Sequence, residues 1–251
     1  MQLYIIRHGQ SFNNALWART GKSNGRLPDP PLTEIGQKQA DSLGHYFAQE
    51  NQNGSSNGTL DLHNRHGYHL THLYSSLMYR AVQTGHAIAD ALDMPLVAWP
   101  IIHEWGGVFD NDPETDEPFA VPGPNRQFFT ERFSRFVLPD DLQEQGWWQQ
   151  PYEPREASIH RAEEFVNQLL ARHGNTEDKV GIVTHGGFTA MVLRVIFNSR
   201  EIIVNLRNEE FHTWLRMNNT GVTRLDFEEN RIIQTYVNRV DHLPTDLITY
   251  T

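Results

Sequence analysis

The chain has 251 residues, 38% of them hydrophobic and 21% charged, the balance of a water-soluble globular protein long enough for one large domain. A formal net charge of -10 argues against a non-specific grip on nucleic acid, and the lack of cysteine removes disulfides, thiolate nucleophiles and zinc–thiolate sites. No apolar run approaches the about 18 residues of a membrane span, and Arg7 and His8 cut the first run too short for a secretory leader, so a cytoplasmic protein without membrane contact is expected.

The first predicted element is a buried strand at 3–6, and it stops at Arg7-His8-Gly9. Two groups able to carry positive charge at a strand tip imply that something anionic binds there. Thr33 then caps a helix whose face is formed by Ile35, Ala40, Leu43 and Phe47. The polar stretch QENQNGSSNG at 49–58 opens a loop insertion that runs to about residue 69. A strand at 70–74 leads through Ser75-Ser76 into a helix with Leu77, Ala81, Thr84, Ile88 and Leu92 on one side and Arg80 in its first turns. A third strand is predicted at 96–99.

Residues 111–152 are rich in proline yet contain Phe119, Phe128, Phe129, Phe133, Phe136, Trp147, Trp148 and Tyr152. That aromatic content is too high for a disordered linker and predicts an inserted, mostly helical cap on the main domain. An amphipathic helix follows through Ile159, Val166, Leu169 and Leu170, with Gly174 as its stop. A strand at 180–184 ends in His185-Gly186-Gly187, and 188–197 reads as a buried helix. Apolar stretches at 222–227 and 232–237 flank Glu228-Glu229-Asn230-Arg231 as a hairpin. Strands alternating with helices define a single α/β domain over 1–251 with a largely parallel sheet.

In open α/β sheets ligands bind beyond the carboxyl ends of the strands, and the polar clusters fall there. Arg7 and Arg80 supply planar forks matched to phosphate oxygens, while His8 and His185 offer a nucleophile and an electrostatic partner. Gly9, Gly186 and Gly187 let backbone approach an anion closely, and the helix N-termini add N–H donors. A rival reading is a metal centre, because His63, His66, His69 and His72 recur every three residues. Gly67 and the strand onset near Leu70 break any helix that would align them, and no HExxH occurs, so loop histidines with no metal and no cofactor are expected.

The segments IIRHGQSFNN, DPPLTEIGQKQA, LYSSLMYRAVQT, HEWGG and VTHGGF, followed by NNTGVTRLDF and VNRVDHL, resemble in order the motifs of the histidine phosphatase (phosphoglycerate mutase-like) superfamily. The resemblance implies a three-layer α/β/α sandwich and a phosphoenzyme mechanism. His8 would take the phosphoryl group, with its other ring nitrogen donating a hydrogen bond that fixes the tautomer. Arg7, Arg80 and His185 would hold the phosphoryl oxygens, and Asn14 would donate to one of them. Glu104 would be the general acid for the leaving alcohol and then the base for water. Ser11, Gly186 and Arg126 are further candidates for phosphate or substrate contact, whereas Ser11 and Thr184 also read as hydroxyls that simply satisfy backbone.

Hydrolase and mutase both start from phosphohistidine. The glycerate mutases of the family carry an adjacent Arg-Arg element, absent from this chain, and an Asn where this chain has Gly187. Both departures favour a phosphatase, which is expected to be metal-independent and to act on a phosphorylated small molecule. A phosphomutase and a non-catalytic phosphate-binding module are the alternatives, and a homodimer stays open.

Overall fold

The computed structural model describes residues 1–49, 61–197 and 215–250, together with the backbone of two short strands between 204 and 211. The turn-rich stretch at 50–58 lies outside the described residues.

Alternation along the first strand sets the architecture. In β1 (Gln2–Arg7) Leu3 and Ile5 face one side of the sheet, and Tyr4 and Ile6 face the other; all four are buried. A strand apolar on both faces must lie between two helical layers. On the Tyr4 side pack α2 (Glu34–Ala48) and α3 (Tyr79–Leu92), through Leu43, Phe47, Ala81 and Ile88. On the Leu3 side pack α5 (Ala157–His173) and α6 (Gly186–Ile196), through Phe165, Leu169, Phe188 and Val192. The result is the expected three-layer sandwich.

The central sheet contains β1, β2 (His72–Ser75), β3 (Leu96–Ala98), β6 (Phe136–Val137), β7 (Lys179–Thr184), β10 (Val222–Glu228) and β11 (Arg231–Arg239). Its order is β11-β10-β1-β7-β2-β3-β6. The run from β1 to β6 is parallel throughout, and the β10–β11 hairpin joins it antiparallel through β10 on β1. Both neighbours of β7 are parallel, so the tips of β1, β7 and β2 emerge side by side at one edge. The register sets Arg7 against Thr184 and Ser75 against Val183. A small separate ladder pairs β8 (Val204–Leu206) with β9 (Glu209–Phe211). No helix among the described residues is long and apolar enough to cross a membrane.

The insertion at 111–152 packs on the main domain but is not mostly helical. It contains the end of a hairpin, β4 (Phe109–Asn111) with β5 (Pro118–Ala120), one five-residue helix, α4 (Arg126–Thr130), and the edge strand β6. Pro118, Pro122, Pro124 and Pro139 deny the backbone N–H groups a longer helix needs. The aromatic side chains serve tertiary packing instead. Phe129, Phe133 and Phe136 enter the core under α3, and Trp148 is buried against His103 at 4.8 Å between ring centres.

One helix had no signal in the hydrophobic pattern. The helix α1 (Phe12–Thr20) follows directly on Gly9 and Gln10, with Phe12 and Trp17 exposed. Ser11 and Asn14 cap it reciprocally, each side chain accepting the other's backbone N–H.

Candidate active site

Backbone crossings fix the tip of β1 first. A Cβ on Gly9 would sit 2.6 Å from the carbonyl oxygen of Gly36, and one on Gly36 would sit 2.1 Å from that of Gln10. The Arg-His-Gly loop and the start of α2 therefore touch in a way only glycine permits. The Gly9 N–H donates to Thr84 Oγ1 (3.0 Å), which ties the loop to α3. The His8 carbonyl accepts from Asn219 Nδ2 (3.2 Å) and Thr220 N (3.3 Å) in the turn before β10.

This frame presents the imidazole of His8 in one tautomer. Its Nδ1–H donates to the carbonyl of Gly9 at 2.6 Å, so the lone pair lies on Nε2. Arg80 reaches back from the first turn of α3 and donates from Nε to that nitrogen at 3.1 Å. Burial, then the charges of Arg80 and Arg7, hold His8 well below the usual histidine range, so it is neutral at physiological pH. His185 is fully buried beside it, with ring centres 5.1 Å apart. Its Nε2 is bonded to Ser76 Oγ (2.8 Å), and its buried Nδ1 has no hydrogen-bond partner among the described residues. A buried nitrogen in that condition beside a cationic pair is one that a bound anion would satisfy.

Arg7 lies nearly buried under this pair and donates from Nη1 to the carbonyl of Met217. Burial lowers it to about 10, which leaves it cationic at neutral pH. Arg80 has a second anchor that the sequence reading missed. Asp29, inside the DPPLTEIG motif, places Oδ1 3.6 Å from Arg80 Nη1 and accepts from the Tyr79 N–H through both oxygens (3.0 and 3.1 Å). Burial pushes this carboxyl up to about 6, against the opposing pull of Arg80.

Glu104 faces the clamp from across the site. Its carboxylate accepts from Gly187 N (2.9 Å), Phe188 N (2.8 Å) and Trp105 N (3.1 Å). It thus caps α6 in place of His185, the N-cap residue whose side chain makes no cap bond. Gly187 is required by this packing, because a Cβ there would meet Trp105 at 2.5 Å and Glu104 Oε1 at 2.6 Å. The glycine that stands where the family's glycerate mutases have Asn thus has a steric account in this chain.

Arg7, His8, Ser11, Asn14, Arg80, Glu104 and Gly186 all line one cavity of about 580 Å³ at this sheet edge. Ser11 and Asn14 reach it with their side chains already engaged in the α1 cap, and Asn14 Oδ1 also accepts from Asn219 Nδ2. The Thr184 hydroxyl donates to Ile102 O (2.6 Å), a backbone role. Arg126 does not belong to the site. It lies in α4 and donates from Nη2 to the carbonyls of Pro139 (2.5 Å) and Asp140 (3.3 Å), closing the insertion on itself.

Of the four regularly spaced histidines, His72 meets His173 and Asp178, with ligand atoms within 4.8 Å of one another. His173 bonds Asp178 Oδ2 through Nδ1 (2.9 Å) and Tyr74 OH through Nε2 (3.0 Å), which uses both its nitrogens in a hydrogen-bonded chain. The group lies at the opposite edge of the sheet, where β2 and β7 begin.

Fold and geometry define a class: an α/β protein that gathers two histidines, two arginines and a carboxylate at the carboxyl edge of its parallel sheet. A sequence profile of the histidine phosphatase superfamily (branch 1) matches residues 3–55 and 62–239, and the chain belongs to that family, whose members are phosphatases or mutases. A probable phosphoglycerate mutase, GpmB of Yersinia pestis, is 35% identical over 114 residues, so the match spans 45% of this chain and 42% of that protein. A phosphoserine phosphatase from Entamoeba histolytica, solved with phosphoserine, superposes with TM-score 0.52 at 16% identity over 97% of this chain and 99% of its own. A mycobacterial glucosyl-3-phosphoglycerate phosphatase gives 0.54 at 16% identity over 94% and 98%. At such identities the two structures share the fold with this chain.

The Asp29–Arg80 contact carries an expectation for pH. As pH falls through about 6, Asp29 takes up a proton and the ion pair with Arg80 is lost, so kcat/KM should fall on that side. Asp29→Asn should flatten the part of the limb due to the enzyme and lower the plateau about tenfold or more through misplacement of Arg80. Profiles of the two proteins on one substrate cancel the substrate's own ionisation; identical profiles would count against a positioning role for Asp29.

Proposed function

We propose that the protein hydrolyses a small-molecule phosphomonoester through a phosphohistidine on His8. The observation that carries this is the bond from His8 Nδ1–H to the Gly9 carbonyl, which leaves the lone pair on Nε2, where it accepts from Arg80 Nε within the field of Arg7. In the first half-reaction Nε2 bonds to phosphorus as the ester P–O bond breaks, and Glu104, which has to enter the cycle protonated, gives its proton to the departing alcohol oxygen. In the second, Glu104 takes a proton from water, whose oxygen bonds to phosphorus as the P–N bond breaks. Arg7, Arg80 and His185 hold the phosphoryl oxygens through both steps.

The charge that builds on those oxygens is met by side chains, so turnover is expected to persist in chelator. Phosphate release should be measured from a panel of phosphomonoesters with chelator present. Turnover abolished by chelator would overturn the metal-independent reading. A second reading, phosphomutase, is favoured by the kinship to a probable phosphoglycerate mutase. Product analysis decides between them: free phosphate in step with alcohol supports the hydrolase, and an isomeric ester without free phosphate supports the mutase.

A further inference from the structure

The edge of the sheet opposite His8 carries a cluster that phosphoryl transfer does not use. His72 opens β2, His173 closes α5, and Asp178 immediately precedes β7. Among the described residues this is the one group of three histidine or carboxylate side chains whose donor atoms all lie within 4.8 Å of one another. The six residues of β7, roughly 20 Å at the rise of a strand, separate it from His185.

The donors already have nearly the spacing that a metal ion imposes. Ligand atoms about 2.0 Å from a tetrahedral ion stand roughly 3.3 Å from one another. Here Asp178 Oδ2 is 2.9 Å from His173 Nδ1, and Asp178 Oδ1 is 3.9 Å from His72 Nδ1. The two imidazoles meet edge to face, with ring centres 4.6 Å apart. His173 is buried, and its Nε2 lies 3.0 Å from Tyr74 OH. A ligating histidine needs such a partner on its other nitrogen: Nε2–H donates to the tyrosine oxygen while Nδ1 gives its lone pair to the ion. Binding would therefore replace the bond from His173 Nδ1–H to Asp178 and the contact of His72 Nδ1 with Thr71 Oγ1 (2.9 Å), and it would keep the bond to Tyr74.

The surroundings admit a cation. His173 is the last residue of α5, where the helix dipole presents its negative end. Of the neighbouring basic side chains, Arg172 is engaged with the Trp99 ring at 4.2 Å and with Tyr74. Lys179 turns to the other face of the sheet, toward Asp61 and Arg224.

We propose that His72, His173 and Asp178 form a binding site for one divalent transition-metal ion of the zinc class, with water completing the coordination. Two imidazoles and a carboxylate suit zinc, cobalt or nickel, whereas calcium and magnesium call for oxygen ligands. The ion staples the end of α5 to the starts of β2 and β7. It has no part in phosphoryl transfer, so the site stands whether or not His8 is a nucleophile. Of the four regularly spaced histidines only His72 belongs to it, because its partners come from far along the chain.

The test uses untagged protein stripped with chelator and then returned to chelator-free buffer. Zinc binding is read by competition with a chromophoric indicator, and cobalt binding by the visible d–d bands of a tetrahedral site. Wild type should bind zinc, and His72→Gln and Asp178→Asn should each weaken that binding at least about tenfold. His160→Gln, at an exposed position of α5, should leave it unchanged. Zinc at about 100 times its Kd should raise the melting temperature of wild type by about 5 °C or more, a rise that both ligand variants lose. His72 and Asp178 are only partly buried, and melting in chelator verifies that the variants fold. Nitrogen NMR of the zinc-loaded protein should find His173 as the Nε2–H tautomer. No binding of zinc or cobalt up to about 100 μM, or binding that both ligand variants retain in full, would overturn the site.

Discussion

His8→Ala is expected to lower turnover of every phosphomonoester the protein accepts by about 10⁴-fold or more, the scale seen when a covalent nucleophile is deleted. The argument is geometric. His8 Nε2 carries a lone pair because Nδ1–H is committed to the Gly9 carbonyl, and Arg80 beside it is placed to draw in the phosphoryl group. Burial keeps the ring neutral, so no proton has to be removed before attack. With alanine at this position Arg7, Arg80 and His185 are expected to bind phosphate still, but only water would be left to attack. Acid lability separates this account from a merely structural one. Rapid quenching of wild type with a labelled ester should trap a phosphoramidate that acid hydrolyses and alkali preserves, and the variant should trap none. Turnover retained within tenfold in a folded His8→Ala protein would remove His8 from the reaction.

The clamp was legible in the sequence because each part sits at the end of a contiguous pattern. Leu3 to Arg7, Lys179 to Thr184 and the start of α3 are short, strongly apolar or periodic runs, and their polar ends meet because parallel strands emerge on one edge. What escaped has other causes. The helix α1 buries little of its surface, so no apolar stripe announced it, and its Ser11–Asn14 cap lacks the usual acidic or glutamine partner. The insertion at 111–152 has the aromatic content of a packed element, but aromatic content does not choose between helix and hairpin, and its prolines chose the latter. Arg126 was a candidate substrate contact within the aromatic insertion, yet it does not line the cavity and its Nη2 donates to carbonyls of the insertion itself. Asp29 and Asn219 were quoted within motifs and carried no individual signal, because their roles appear only when α3 and the turn before β10 are in place.

The cations of the cavity wall escaped for a related reason. Arg26, Arg155, Arg194 and Arg216 are separated by long stretches of chain, so no local motif marked them as neighbours of one cavity. The chain is acidic overall, but charges on distant surface positions are screened over about 10 Å at ordinary ionic strength, whereas those lining a shared cavity act on one ligand together.

Glu104→Gln is the second large effect, and its dependence on the substrate is more informative than its size. Glutamine keeps the volume of the side chain, and its carbonyl oxygen can still accept from the N-terminus of α6, where the carboxylate now takes N–H bonds from Gly187 and Phe188. The fold should therefore survive, while proton delivery to the departing oxygen does not. For an alkyl phosphate, whose alkoxide is a poor leaving group, kcat/KM should fall about 10²- to 10⁴-fold, the usual worth of a positioned general acid. For 4-nitrophenyl phosphate, whose phenolate departs without a proton, the loss in the first half-reaction should be much smaller. Dephosphorylation still needs a base for water, so phosphoenzyme should accumulate, and a burst of nitrophenolate equal to the enzyme concentration should precede a slow steady state. An equal loss on both esters with no burst would mean that Glu104 serves only to cap α6, and the acid would have to be sought elsewhere along the cavity.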